Sequence, residues 1–240
     1  MDINSFKDLM NFYAKKIDIV FDDKQLIQFY SYLNLLIEWN NKINLTAITE
    51  PEEIILKHFI DSLTINKYID KNKCIVDVGT GAGFPGIPLK IYRPDVKVTL
   101  VDSLNKRIKF LDSVISELKL DGICTVHSRV EDFGKNNKYR EKFDYVTARA
   151  VANLTVLSEY LIPISKVGGK CICMKGSNVD EELESADRAI DILGGEVCTV
   201  DKFCLPESDI YRNIVVVDKI KVTPEKYPRK SGMPVKEPLK

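Results

Sequence analysis

An acid and three alternate glycines, Asp77-Val78-Gly79-Thr80-Gly81-Ala82-Gly83, end a short β-branched run that starts at Cys74. A brief, mostly apolar run of this kind reads as a buried parallel strand. Gly86 raises the count to four glycines within eight residues, and residues 87–91 resume as a helix before Pro94. Strand, glycine turn and helix let backbone approach a nucleotide-like ligand. Two cofactors use that geometry. Gly81-Ala82-Gly83-Phe84-Pro85-Gly86 satisfies GxGxxG. Asp102 follows roughly 20 residues on, where a ribose-binding acid belongs. The same stretch also fits the D-x-G-x-G-x-G pattern of S-adenosylmethionine (SAM) sites. A sulfonium and an ammonium are drawn to an acid at Asp77, where a diphosphate would be repelled. Pro85 also removes an N–H that a pyrophosphate would use. The stretch therefore favours SAM over NAD, and four glycines are more than helix–strand packing alone requires.

The elements that position this turn alternate. Strands are expected at 74–78, 96–101, 123–127, 143–148, 170–174, 196–204 and 213–217, with helices at 105–118, 154–161 and 181–193 between them. The last two strands have no helix between them, so they form an antiparallel hairpin. The fold class is α/β, a mostly parallel seven-stranded sheet with a C-terminal antiparallel hairpin and helices on both faces. Ligands in such sheets sit beyond the carboxyl ends of the strands. Asp77 to Gly83, Asp102, Val130-Glu131-Asp132, Arg149 and Lys175 all fall there. Asp102 is placed to take both ribose hydroxyls. Glu131 or Asp132, or the backbone at Val130 and Glu131, is placed to meet an adenine amino group. Arg149 and Lys175, two cations beside a cationic cofactor, point to an anionic ligand, and nucleic-acid phosphate is the natural one.

Residues 1–70 read as a helical N-terminal extension, 71–220 as the cofactor-binding domain and 221–240 as a basic C-terminal tail. In the extension, Asp22 or Asp23 caps a helix that ends near Asn40-Asn41, and Thr49-Glu50-Pro51-Glu52 resembles a capping box. The polar linker from Trp39 to Thr46 caps its neighbouring helices. His58 and Asp61 share a helix face and read as a surface or packing pair. From Lys219 to Lys240, seven Lys or Arg face two acids. Prolines keep the part from Glu225 onward extended, which suits a nucleic-acid backbone at Lys226, Arg229 and Lys230.

Composition sets few limits. The 240 residues carry 35 Lys plus Arg and 35 Asp plus Glu, so net charge says nothing about partners. Six cysteines with no CxxC pairing read as buried free thiols of a reducing cytosol, and no metal site is expected. With no signal peptide and no membrane-length apolar run, a cytoplasmic monomer is expected.

These pieces resemble the RsmG (GidB) family of bacterial 16S rRNA (guanine-N7) methyltransferases along essentially the whole chain. The resemblance is carried by Trp39-Asn40, Asn44-Leu45-Thr46, His58 with Asp61-Ser62, and residues 77–88. Ala148-Arg149-Ala150-Val151-Ala152, Met174-Lys175-Gly176 and Tyr227-Pro228-Arg229 complete it. Val130 stands where the family usually has alanine. The resemblance implies a class I, Rossmann-like methyltransferase that methylates N7 of guanine 527 in 16S rRNA, free or in the small ribosomal subunit. It also implies SAM contacts at Gly79, Phe84, Val130, Glu131 and Arg149. Guanine N7 carries no proton to remove, so catalysis is mostly positioning and electrostatics, and no base is assigned. Asn40, Asn44 and His58 are expected to line the acceptor pocket, with Arg149 and Lys175 on phosphate or the guanine O6 edge. Two other readings remain. An NAD-dependent oxidoreductase would need His58 or Tyr145 as proton donor, and a non-catalytic ribosome-binding protein would need no turnover.

Overall fold

The computed structural model describes residues 1–176 and 179–239. The N-terminal helices are α1 (Ile3–Lys15) and α2 (Asp23–Ile43), then α3 (Pro51–Ile54), a π-helical segment (Ile55–Ile60), α4 (Asp61–Leu63) and a 3-10 turn (Thr64–Tyr68). There follow β1 (Cys74–Val78), α5 (Gly86–Tyr92), β2 (Lys97–Asp102), α6 (Asn105–Glu117), β3 (Ile123–His127), α7 (Val130–Lys135) and β4 (Phe143–Arg149). The chain continues through α8 (Leu154–Leu161), β5 (Ser165–Lys175), α9 (Val179–Leu193), β6 (Gly195–Cys204), β7 (Tyr211–Lys219) and α10 (Met233–Lys236).

The seven strands form one sheet in the order β3-β2-β1-β4-β5-β7-β6. β7 runs antiparallel to both β5 and β6, and the other neighbours are parallel, as the alternation predicts. The order reverses between β1 and β4, which opens a crevice at their carboxyl ends. Strand alternation divides the core. Ile75 packs into the cluster under the N-terminal helices, and Val76 and Val78 into the one under α8 and α9.

The helix α2 holds the extension against this sheet layer through one polar row. Asp22 and Gln25 form a capping box at its start. Gln25 Nε2 then donates to the Ile91 and Tyr92 carbonyls at 3.2 and 3.1 Å, and Gln28 Nε2 to the Leu118 carbonyl at 2.8 Å. Each satisfies carbonyls that α5 and α6 leave open at their ends. Tyr32, one turn on, donates its hydroxyl to the Ala82 carbonyl inside the glycine turn. Residues 25, 28 and 32 share a helix face, so one face of α2 grips two helix ends and the turn.

Several local expectations change. Trp39 to Ile43 belong to α2, not to a linker, and the helix ends on Asn44 in a left-handed conformation. The capping box at Thr49 is absent, since Glu50 is the N-cap and its side chain makes no cap bond. β5 starts at Ser165, not residue 170, because it runs through Gly168-Gly169. Only Cys171 and Cys173 are fully buried thiols, while Cys124, Cys198 and Cys204 are exposed.

The tail is docked, not extended. Arg140 donates to the Tyr227 carbonyl at 2.6 Å and the Thr223 carbonyl at 2.8 Å. Tyr227 is buried, and Arg229 grips the buried Glu159 carboxylate with Nε and Nη2. Lys240 lies outside the described residues. Among the described residues no helix is long and apolar enough to cross a membrane, and no group of three or more His, Cys, Asp or Glu is placed to hold a metal.

Candidate cofactor and acceptor site

The glycine turn is braced by the two acids that flank it. Asp77 Oδ2 accepts from the Thr80 hydroxyl at 2.6 Å and the Gly86 N–H at 2.9 Å. Asp77 Oδ1 is buried with no partner among the described residues. Burial pushes this carboxyl up to about 6, against the pull of the Thr80 and Gly86 bonds. Gly79 has φ +65°, and a Cβ there would sit 2.8 Å from the Val151 side chain. Gly83 has φ +101°, and a Cβ there would meet Ile87 at 2.5 Å and the Tyr32 hydroxyl at 2.8 Å. The turn therefore needs glycine at both places.

Asp77 gives a pH prediction. Its folded pKa of about 6 lies above its ordinary 3.8, so the folded state binds the proton more tightly. That stabilisation is full below the ordinary pKa and is lost as pH rises through about 6. Relative to an Asp77→Asn variant, the wild type should lose about 3 kcal/mol of unfolding free energy in that window. Urea unfolding at pH 4, 5, 6 and 7 checks it, and a flat difference would contradict it.

A cavity of about 280 Å³ opens beside the turn at the ends of β1 and β2, lined among others by Gly79, Asp102, Val130, Glu131 and Tyr160. Asp102 is less free than its position predicts. It accepts from the Gly81 N–H (3.0 Å), the Leu104 N–H (2.9 Å) and Arg107 (3.2 Å). A carboxylate offers about four acceptor sites, so there is room for one further hydroxyl, not two. Glu131 Oε1 accepts the Gly232 N–H at 2.9 Å, which brings the tail to the cavity wall. One bond leaves acceptor positions on Glu131, so its side chain and the backbone of Val130 and Glu131 are both candidate adenine contacts.

A second cavity, about 390 Å³, lies at the ends of β4 and β5 and is lined by His58, Asp61, Arg149, Met174 and Lys175. Arg149 is its hub. One nitrogen, Nη1, donates to Asp61 Oδ2 and the Lys57 carbonyl, both at 3.0 Å, and Nη2 lies 3.1 Å from His58 Nδ1. Nδ1 also lies 3.1 Å from the Lys57 carbonyl, so a donor and an acceptor both face it and these contacts assign no single tautomer. Nε2 lies 2.8 Å from the Thr46 hydroxyl. Burial, with Arg149 adding to it, pulls His58 down to about 3, so it stays neutral. Both pack on Phe84, whose ring lies 4.5 Å from the His58 ring and 4.8 Å from the Arg149 guanidinium. Asp61 also accepts from Arg212 at 3.1 Å. The His58–Asp61 pair is therefore a buried network built on a π-helical segment, not a surface pair. Helical irregularities of this kind are frequent at functional sites.

The cations read as free are not. Arg149 is paired with Asp61, which it shares with Arg212. Lys175 donates to the Ala152 carbonyl at 2.8 Å and to Glu182 at 2.6 Å. Arg229 is bound to Glu159, which leaves exposed Lys226 and Lys230 as the tail's candidates for RNA phosphate. Asn40 and Asn44 do not line the second cavity. Asn40 fixes the loop after α2, bonding the Leu45 and Thr46 N–H groups and the Thr46 carbonyl, and reaches His58 only through Thr46. Sequence reasoning missed Arg212, Tyr32, Glu159 and Glu182. Tyr32 carried the only signal, its place on one face of α2 with Gln25 and Gln28. A third cavity, about 430 Å³, lies between residues 16–19 and Phe203-Cys204 and shares no lining residue with the other two.

The sheet order, the glycine turn and the strand-end crevice define a Rossmann-like, SAM-dependent methyltransferase fold. A SAM-dependent methyltransferase from Aquifex aeolicus matches with TM-score 0.52 and 16% identity, over 71% of this chain and 94% of that one. A putative transferase from Pyrococcus horikoshii matches with TM-score 0.54 and 16% identity, over 66% and 62%. These likenesses concern the fold alone. The sequence model of the GidB family, described as rRNA small subunit methyltransferase G, matches residues 25–211. A ribosomal RNA small subunit methyltransferase G of Acetivibrio thermocellus is 55% identical, over 94% of this chain and 93% of its own. Its namesake in Desulforamulus reducens is 52% identical over 94% and 95%. The chain belongs to the rRNA small subunit methyltransferase G family.

Proposed function

We propose that this chain transfers the methyl group of SAM to N7 of a guanine in 16S ribosomal RNA, in the cytoplasm. The observation that carries this reading is His58. Its ring is held on both nitrogens, by Arg149 and the Lys57 carbonyl at Nδ1 and by Thr46 at Nε2, and its pKa is pulled down to about 3, so the one histidine at the acceptor cavity is no base. Guanine N7 needs none, because its lone pair is in the ring plane and carries no proton. Family membership supplies the RNA.

The residues fit SAM. Gly79 brings backbone to the cavity without a side-chain wall, and the acids Asp102 and Glu131 line it. The acceptor position left on Asp102 suits a hydroxyl-bearing ligand, and the two carboxylates suit a cationic one. When bound, SAM supplies an electrophilic methyl on a sulfonium. The chain's part is positioning. Arg149 and Ala150 line the second cavity and Val151 the first, so the end of β4 borders both, with Arg149 packed on Phe84 and held by His58. Lys175 and Glu182 face the acceptor side.

The oxidoreductase reading lacks a proton donor. His58 is locked as above, and Tyr145 donates to Asp70 at 2.9 Å, in neither cavity. Titration with SAM and NAD separates the cofactors, with binding expected for SAM only. Lys175→Ala is expected to keep SAM affinity and lower methyl transfer about 10²-fold by misplacing the acceptor. Unchanged transfer would remove Lys175 from the site.

A further inference from the structure

We propose that Lys175 and Glu182 form a donor–acceptor pair that reads the O6/N1–H edge of the acceptor base, and so selects guanine. This rests on the guanine reading above. A base that undergoes chemistry is taken out of its stack and read along its Watson–Crick edge. Guanine presents there an acceptor, O6, beside a donor, N1–H. Adenine presents the reverse, an N6 donor beside the N1 acceptor.

The pair on the wall of the second cavity complements guanine. Lys175 Nζ, a donor only, stands 2.6 Å from Glu182 Oε2, an acceptor only. Both are fixed by the segment that joins β4 to α8. Lys175 donates to the Ala152 carbonyl at 2.8 Å, and Glu182 Oε2 accepts the Leu154 N–H at 2.6 Å. An ammonium has three N–H groups and a carboxylate about four acceptor positions. Among the described residues, these bonds leave one N–H and two acceptor positions for a base. The Lys175 side chain is 9% exposed and that of Glu182 28%, so the pair runs from the cavity floor towards its opening. O6 lies between N7 and N1 around the purine edge. A grip on O6 and N1 therefore leaves N7 clear to meet the methyl. An adenine-like edge would set donor against donor and acceptor against acceptor.

The test uses small subunits reconstituted with 16S rRNA that carries guanosine, inosine or 2,6-diaminopurine riboside at the target position. All three keep N7. Inosine keeps the O6/N1–H edge, and diaminopurine has the adenine-like edge. In kcat/KM, inosine should fall within about tenfold of guanosine, and diaminopurine should lose on the order of 10⁴-fold, as in sites built around a specific hydrogen bond. The exchanged pair, Lys175→Glu with Glu182→Lys, should narrow the guanosine-to-diaminopurine ratio at least about 10²-fold. A merely structural pair would lower both substrates equally. Equal turnover of guanosine and diaminopurine by the wild type overturns the pair while the methyltransferase reading stands. No turnover of guanosine overturns the reading beneath it. If the exchanged variant does not fold, the wild-type series alone decides.

Discussion

Arg149→Ala should cost about 3–5 kcal/mol of stability, because it strips one partner from a carboxylate that is almost fully buried. Asp61 is 2% exposed and would keep only Arg212. The same change releases the Lys57 carbonyl and His58 Nδ1 and removes the cation from the Phe84 face. The second cavity then loses the geometry that Arg149 gives its lining, and methyl transfer should fall by at least about 10²-fold. Arg149→Lys should rescue little. An ammonium cannot bond Asp61 and the Lys57 carbonyl through one planar nitrogen while lying flat on Phe84. Urea unfolding and initial rates on the two variants check this. Near-normal activity in Arg149→Ala would refute Arg149 as the hub.

Arg229→Ala should be nearly as severe, about 3 kcal/mol, for a reason unrelated to RNA. Its guanidinium makes bonds of 2.9 and 2.6 Å to Glu159, which is 1% exposed and would be left as an unpaired buried charge. Of the tail's bonds to Glu159 on α8, only that of the residue 229 N–H would remain, which loosens the Gly232 N–H that Glu131 accepts. SAM affinity should drop as that cavity wall is lost. Lys226→Ala and Lys230→Ala, both at exposed positions, should change stability by less than about 0.5 kcal/mol. Melting curves of the three variants separate the roles. If Arg229→Ala melts like the wild type but loses RNA affinity, Arg229 is a phosphate ligand after all.

The strands were legible because β-branched runs such as Cys74–Val78 and Ile123–His127 declare themselves locally. The glycine turn was legible because its spacing is local too. The acceptor wall was not. Arg149 meets Asp61 across 88 residues, and Asp61 meets Arg212 across 151. No periodicity links them, so each cation looked free. The tail misled for the same reason. Its basic composition is visible, but the acids that hold it, Glu159 and Glu131, lie 70 and 101 residues away from their partners. Gly168-Gly169 broke the apolar pattern of β5, although the strand's pairing with β4 begins at Ser165.

The most direct test is transfer of labelled methyl from SAM to 16S rRNA isolated from cells lacking this protein, offered as naked RNA and as small subunits. The nuclease digest is analysed for 7-methylguanosine. The account predicts that product from at least one of the two substrates, and at least about 10²-fold less of it when Arg149→Ala replaces the wild type. SAM binding with no 7-methylguanosine from either substrate would contradict it.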